Sequence, residues 1–256
     1  MVSKGAGNDR KKRNNTFVAM PTPSYTITCT KKELMAPGVY ELRFSRPEGF
    51  NFKAGQFVLF DVPLVGNPLD IQPRAYSIAS KPSEKDLIFV IKMKTGGRFS
   101  EWLEQVLDVG SEVTIKGPFG FFTVKDNTND LFFTATGAGM APFRGQVLDL
   151  LEKKDARRIH LLFGARTESD FFWLELFRLL EKEHPNFTLH LCLSGPSDTW
   201  TGHKGRVQTR LTEIVEDSAK SDIYICGAPE MVKDVKTMAL ESLKLPKSAV
   251  HAEGYI

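Results

Sequence analysis

Cysteine is scarce. The 256 residues hold only Cys29, Cys192 and Cys226, odd in number and far apart. That spacing argues against a disulfide framework or a cysteine-rich metal centre. No Cys-x-x-Cys occurs, so the usual ligand spacing of an iron–sulfur cluster is missing. Five histidines are scattered, and His184 and His190 stand six apart across Pro185, poor spacing for a metal. No metal is expected. Long apolar runs are lacking too: none approaches the roughly 18 residues that span a bilayer. The basic N-terminus is not followed by the apolar stretch of a secretory signal. No membrane span is expected, and a cytoplasmic location is the default. Charge of one sign is also lacking. The net charge is +3, with Lys4, Arg10, Lys11, Lys12 and Arg13 set against Asp9 in the first fourteen residues. The remainder is near neutral and shows no basic stripe of the kind that grips nucleic acid.

Hydrophobic residues make up 41% and phenylalanine alone contributes 19 residues, ample for a sizeable core. The length suits one large or two modest domains. Residues 1–20 read as a disordered basic tail, with a targeting arm as the other reading. From 21 to 125, short strand-like runs alternate with turns: Ser24–Thr30, Val39–Ser45, Gln56–Val62, Ala75–Ser80, Leu87–Met93 and Val113–Lys116. The last is expected to stop at Gly117-Pro118. One helix is expected over Phe99–Val106. Such a pattern predicts an antiparallel β-barrel or sandwich. From 126 to 256 the rhythm becomes strand then helix. Strands are expected at Leu131–Thr136, Ile159–Phe163, Thr188–Leu193, Ile223–Cys226 and Val250–Glu253. Helices are expected at Ala141–Lys153, Phe171–Glu181, Val207–Val215 and Met231–Leu243. That rhythm predicts a parallel-sheet α/β domain. Asp126–Asp130 is the natural boundary.

Four clusters carry candidate chemistry. Pro73-Arg74-Ala75-Tyr76-Ser77 sets a guanidinium, a ring and a hydroxyl on one strand, with Arg74 and Tyr76 sharing a face. A guanidinium grips phosphate and an aromatic ring stacks on a flat heterocycle. Gly96-Gly97-Arg98-Phe99-Ser100 opens a helix, whose unpaired N–H groups favour an anion. Thr136-Gly137-Ala138-Gly139-Met140-Ala141-Pro142 is a Gly-x-Gly between strand and helix, where a pyrophosphate sits in dinucleotide folds. It is not the full six-residue glycine fingerprint, since Pro142 stands at the third position. Cys226-Gly227-Ala228-Pro229-Glu230-Met231 also joins a strand to a helix, and no base adjoins Cys226 to make it a covalent nucleophile. Each cluster also has a plain structural reading: a surface arginine, a helix entry, a tight turn, a buried cysteine.

In this order the clusters, with Gly-Pro-Phe-Gly at 117–120, resemble the ferredoxin–NADP reductase superfamily over about Ser24–Ile256. The resemblance implies a flavin-binding barrel followed by a nicotinamide-binding α/β domain. It implies non-covalent FAD and NADH or NADPH as substrate. By position, Arg74, Ala75, Tyr76, Ser77, Ile91, Lys92, Gly96, Gly97, Arg98, Phe99 and Ser100 would hold the flavin. Thr136, Gly137, Gly139, Pro142, Arg166, Ser194, Cys226, Gly227 and Met231 would hold the pyridine nucleotide. Cys226 would lie beside the reacting nicotinamide carbon, and Ser77 near flavin N5. Glu253-Gly254-Tyr255-Ile256 resembles the Glu-x-Tyr ending of plant-type members, whose terminal aromatic covers the flavin; here Ile256 follows the tyrosine. Ser77, Cys226, Glu253 and Tyr255 are therefore the candidate catalytic residues. Gly195 follows Ser194 where NADP-specific relatives commonly carry arginine, which leans toward NADH; Arg166, Lys204 and Arg206 are the other cations that could meet a phosphate.

The resemblance implies hydride transfer from NAD(P)H to FAD, then release of single electrons to a small redox protein such as ferredoxin or flavodoxin. The rivals are a free-flavin reductase, a cytochrome- or oxygenase-type NADH reductase and, in a different class, a non-catalytic nucleotide-binding regulatory module. No nucleic acid partner is expected, and the chain is expected to be a monomer.

Overall fold

The computed structural model describes residues 22–255, so the tail expected over residues 1–20 and the terminal Ile256 lie outside the described residues. Six strands and one helix come first: β1 (Ser24–Ala36), β2 (Val39–Ser45), β3 (Phe57–Leu64), β4 (Asn67–Ser77), β5 (Asp86–Lys92), α1 (Arg98–Gln105) and β6 (Glu112–Phe119). They pair antiparallel in the order β4-β3-β6-β1-β2-β5. Ala79 N–H donates to Ile88 O at 2.8 Å, which draws the chain leaving β4 onto β5 and curls the sheet into a barrel. Leu42, Phe44, Phe60, Phe89 and Trp102 fill it.

Three of these strands outrun their sequence signals. β1 continues past Thr30 through Lys31-Lys32-Glu33, where the register shifts twice and Lys31 pairs with Glu33 on the surface. β4 starts eight residues before Ala75 and ends at Ser77, because Gly66 (φ +83°) turns the chain straight back along β3. Pro73 is tolerated there because β4 is an edge strand, where one N–H can be lost. β6 runs through Gly117-Pro118 to Phe119 instead of stopping before them.

The second half is β7 (Asp130–Thr136), α2 (Met140–Glu152), β8 (Ile159–Ala165), α3 (Leu174–Glu183), β9 (Phe187–Leu193), β10 (His203–Lys204), α4 (Val207–Ile214), β11 (Ser221–Gly227), α5 (Pro229–Glu241) and β12 (Val250–Gly254). Its strands pair parallel in the order β10-β9-β8-β7-β11-β12. β7 and β11 are buried on both faces, which explains their unbroken apolar runs. α3 begins three residues late, since Phe171 and Phe172 pack their rings on Phe163 and Trp173 takes φ +57°. α5 begins at Pro229, a residue suited to the first helical position. β10 is two residues long and carries no periodicity to read.

The two-domain architecture is the one the sequence predicts, an antiparallel barrel followed by a parallel α/β sheet. The halves are not separately packed. Ala36, Val39, Ala79, Ile88, Val90 and Phe122 from the first half join one apolar cluster with Phe133, Met140, Phe143 and Tyr224 from the second. Polar bonds flank this seam. Arg144 donates to both carboxylate oxygens of Glu84 at 2.9 Å and to Ala79 O, and Trp173 Nε1–H donates to buried Glu41 at 2.7 Å. No helix among the described residues is long and apolar enough to cross a membrane.

Candidate functional site

The carboxyl ends of β7, β11 and β12 lie side by side, and two glycines let them close up. A Cβ on Gly139 would meet the carbonyl oxygen of Cys226 at 2.2 Å, and one on Gly227 (φ +142°) would meet Thr136 Oγ1 at 2.4 Å. Thr136 Oγ1 accepts from Ala228 N–H at 3.1 Å, tying the two strand-to-helix turns together. The register of β11 with β12 places Glu253 beside Cys226 and Gly254 beside Gly227. Across the seam, Ser77 at the end of β4 donates to Glu253 Oε1 at 2.8 Å. A hydroxyl from the barrel thus meets a carboxyl from the α/β sheet.

A cavity of about 1050 Å³ opens at this junction. Its barrel wall carries Arg74, Ala75, Tyr76, Ser77, Lys92 and the run Gly96–Ser100. Its α/β wall carries Thr136–Gly139, Gly227, Ala228 and Glu253–Tyr255. Tyr76 packs on Phe99 with ring centroids 4.5 Å apart and on Phe60, which fixes the plane it offers the cavity. Gly97 caps α1, and a Cβ there would meet Lys94 O at 2.9 Å, so glycine keeps this loop tight, whereas a Cβ on Gly96 or Gly137 would meet nothing within 4 Å. Among the described residues Arg74 donates to Pro73 O and to Gln72 Oε1, and no carboxylate there holds it. Ser100 Oγ accepts from Lys94 N–H at 2.9 Å, so that hydroxyl also braces the glycine loop.

Burial dominates the electrostatics at the floor. It pushes the Glu253 carboxyl above its usual range, and the Ser77 hydrogen bond only partly opposes this. Burial also pushes up the Cys226 thiol and the Tyr255 phenol. All three groups are neutral-leaning neighbours. The Tyr255 hydroxyl is buried with no hydrogen-bond partner among the described residues.

A second cavity, of about 400 Å³, adjoins the first. Lys92, Thr136, Gly137 and Ala228 line both. Arg166, Ser194 and Met231 line the smaller one, together with Asp170, Arg206, Gln208 and Glu230. Arg206 approaches Asp234 only to 3.7 Å, and Arg166 enters no ion pair among the described residues.

Most of the expected site residues therefore stand on one continuous surface. Ile91, Pro142 and the Cys226 side chain do not. Ile91 points into the barrel core, since alternation along β5 turns it away from Lys92. Pro142 is buried inside the first turn of α2. Cys226 is fully buried, and its neighbour Gly227 supplies the wall. Arg98 lines the larger cavity, but Asp70 already holds it. Sequence reading missed Phe57 and Lys94 in the wall of the larger cavity, Asp70 on Arg98, and Asp170, Gln208 and Glu230 around the smaller cavity, whereas Arg206, named as a possible phosphate partner, does line the latter. Among the described residues no cluster of three or more His, Cys, Asp or Glu side chains could hold a metal.

Residues 26–124 match the Oxidoreductase FAD-binding domain family, and residues 133–237 match the Oxidoreductase NAD-binding domain family. The chain is 32% identical over 231 residues to ferredoxin–NADP reductase B of Sorangium cellulosum (strain So ce56), covering 86% of this chain and 93% of the relative. It is 31% identical over 238 residues to the reductase component DmpP of phenol 2-monooxygenase from Pseudomonas sp. (strain CF600). That match covers 88% of this chain and 64% of the relative, so the chain spans less than two thirds of that component. Among solved structures, the Amycolatopsis cytochrome P450 reductase GcoB superposes with a TM-score of 0.81 at 25% identity, over 91% of this chain and 70% of the other.

Proposed function

Because this chain belongs to the ferredoxin reductase-like family of FAD- and NAD-binding oxidoreductases, we propose that it oxidises NADH or NADPH and delivers the electrons singly to a small redox protein. The observation that carries this reading is the single continuous surface. The larger cavity has one wall from each half, and it passes into the smaller one past Lys92, Thr136, Gly137 and Ala228. The residues present fit a flavin: a fixed tyrosine ring, Gly96 and Gly137 with open space beside their Cα atoms, and an arginine with no carboxylate partner among the described residues. Bound FAD supplies the chemistry, taking two electrons from a reduced nicotinamide and releasing them one at a time.

The chain's own residues then have distinct tasks. Arg74 and the α1 entry hold phosphate. Tyr76 and Ser77 set the plane and one edge of the ring system. The α/β wall at Gly137–Gly139 receives the second nucleotide, and Arg166, Ser194 and Arg206 meet its far end. Glu253 and Ser77 share a proton-bearing hydrogen bond at the reacting face. Tyr255 stands on that face and has to yield space to a nicotinamide. Holding both rings in one gap makes the transfer effectively unimolecular.

The test is simple. The purified protein should be yellow, and NADH or NADPH should bleach it under nitrogen. Steady-state rates with both nucleotides against ferredoxin, flavodoxin, cytochrome, oxygenase and free-flavin acceptors then identify the acceptor. A colourless protein that binds nucleotide without reducing added FAD would overturn the reading.

A further inference from the structure

The Arg98 guanidinium is held in an unusual way for a group at a ligand-binding wall. A guanidinium has five N–H donors. Nη1 donates to Asp70 O at 2.7 Å and to Asp70 Oδ1 at 3.2 Å, and Nη2 donates to Oδ2 at 3.0 Å. Three donors are therefore spent on one residue. The two that remain are Nε–H and the outer hydrogen of Nη2, which point parallel along the opposite edge of the planar group. Neither has a partner among the described residues. The side chain is only 11% exposed, yet Arg98 is a wall residue of the larger cavity. A parallel N–H pair is the fork that binds two oxygens of a phosphate at once.

From this geometry we infer that Asp70 is a positioning residue, which grips Arg98 end-on so that its side edge is presented to a flavin phosphate. The inference rests on reading the larger cavity as the flavin site. The strand supports it: Asp70, Gln72, Arg74 and Tyr76 alternate onto one face of β4, so Asp70 follows Arg74 outward along the same row. Asp70 carries a carboxylate in an edge strand that pairs only with β3, and its hold on Arg98 pins that outer segment to the start of α1. Arg74 is held by neutral partners, Pro73 O and Gln72 Oε1, whereas the Asp70 carboxylate fixes the orientation of Arg98. A charge-matched pair adds little net attraction at long range, so the contribution of Arg98 is directional.

The experiment titrates flavin-stripped protein with FAD and with riboflavin, following fluorescence. Asp70→Ala should weaken FAD binding about tenfold, roughly 1.4 kcal/mol, and leave riboflavin binding unchanged. Arg98→Lys, which keeps the charge and the partner but lacks the fork, should lose a similar factor for FAD alone. Tighter FAD binding by Asp70→Ala would make Asp70 a competitor for Arg98 and overturn the inference. So would equal losses for FAD and riboflavin, or undiminished FAD binding by Arg98→Lys. Failure of the wild-type protein to bind any flavin would instead strike the proposed function.

Discussion

At the residue scale, Glu253 is the group whose ionisation the fold disturbs most usefully. Its carboxyl is raised by burial against the floor of the cavity and lowered only in part by Ser77. A carboxyl whose folded pKa lies above its unfolded value binds its proton more tightly in the native state. That proton stabilises the fold fully below the unfolded pKa, and the benefit is lost as pH rises through the folded one. Glu253→Gln, which stays neutral, should therefore raise the melting temperature of the flavin-free protein at pH 7 and change it little at pH 4. Equal shifts at both pH values in calorimetry would show that the carboxyl is not the cause. The residue types of the site are legible in the amino-acid order because glycine, arginine and tyrosine declare themselves locally. Asp70 does not. Nothing near it in the chain signals that it lies 28 positions from its partner in sequence but 3.0 Å away in space.

At the element scale, β8 and β9 place two histidines side by side. His160 Nδ1 and His190 Nε2 are 3.1 Å apart, and Arg210 from α4 lies 3.4 Å from the other His190 ring nitrogen. Burial, then electrostatic repulsion from the neighbouring His160, Arg210 and His203, pushes His190 down to about 4; burial also lowers His160. Glu213 on α4 faces His203 and Arg210, not His190. The unfolded chain takes up these protons first, so stability is full above about pH 6.5 and is lost as pH falls toward 4. His190→Gln should flatten that fall by about 1–2 kcal/mol in urea melts compared at pH 7 and pH 4.5. A wild-type slope in the variant would remove His190 as its source. Elements with strong periodicity, such as β2 and α2, were readable within a residue or so. β1 and β4 ran beyond their patterns because surface ion pairs and a hairpin turn set their ends, and neither leaves an alternating signature.

At the scale of the whole molecule, the apolar cluster that crosses from barrel to α/β sheet predicts one unfolding transition for the flavin-free protein. Glu84→Gln tests the seam. It leaves the buried Arg144 guanidinium without its anion, which should cost about 3 kcal/mol. Scanning calorimetry should then show a lower midpoint, with the two halves beginning to melt apart. Two separate transitions in the wild type would contradict a shared core. The two-domain plan itself was visible in the change of rhythm near Lys125, but the seam was not, because Val39, Ala79 and Phe122 look like ordinary core residues of the first half. The seam also has a bearing on recombination. A graft that swaps the nucleotide-binding half for that of a relative would leave an oily, mismatched face on both pieces. Working hybrids should therefore need the contact residues exchanged as a set, whatever splice point in the chain is chosen.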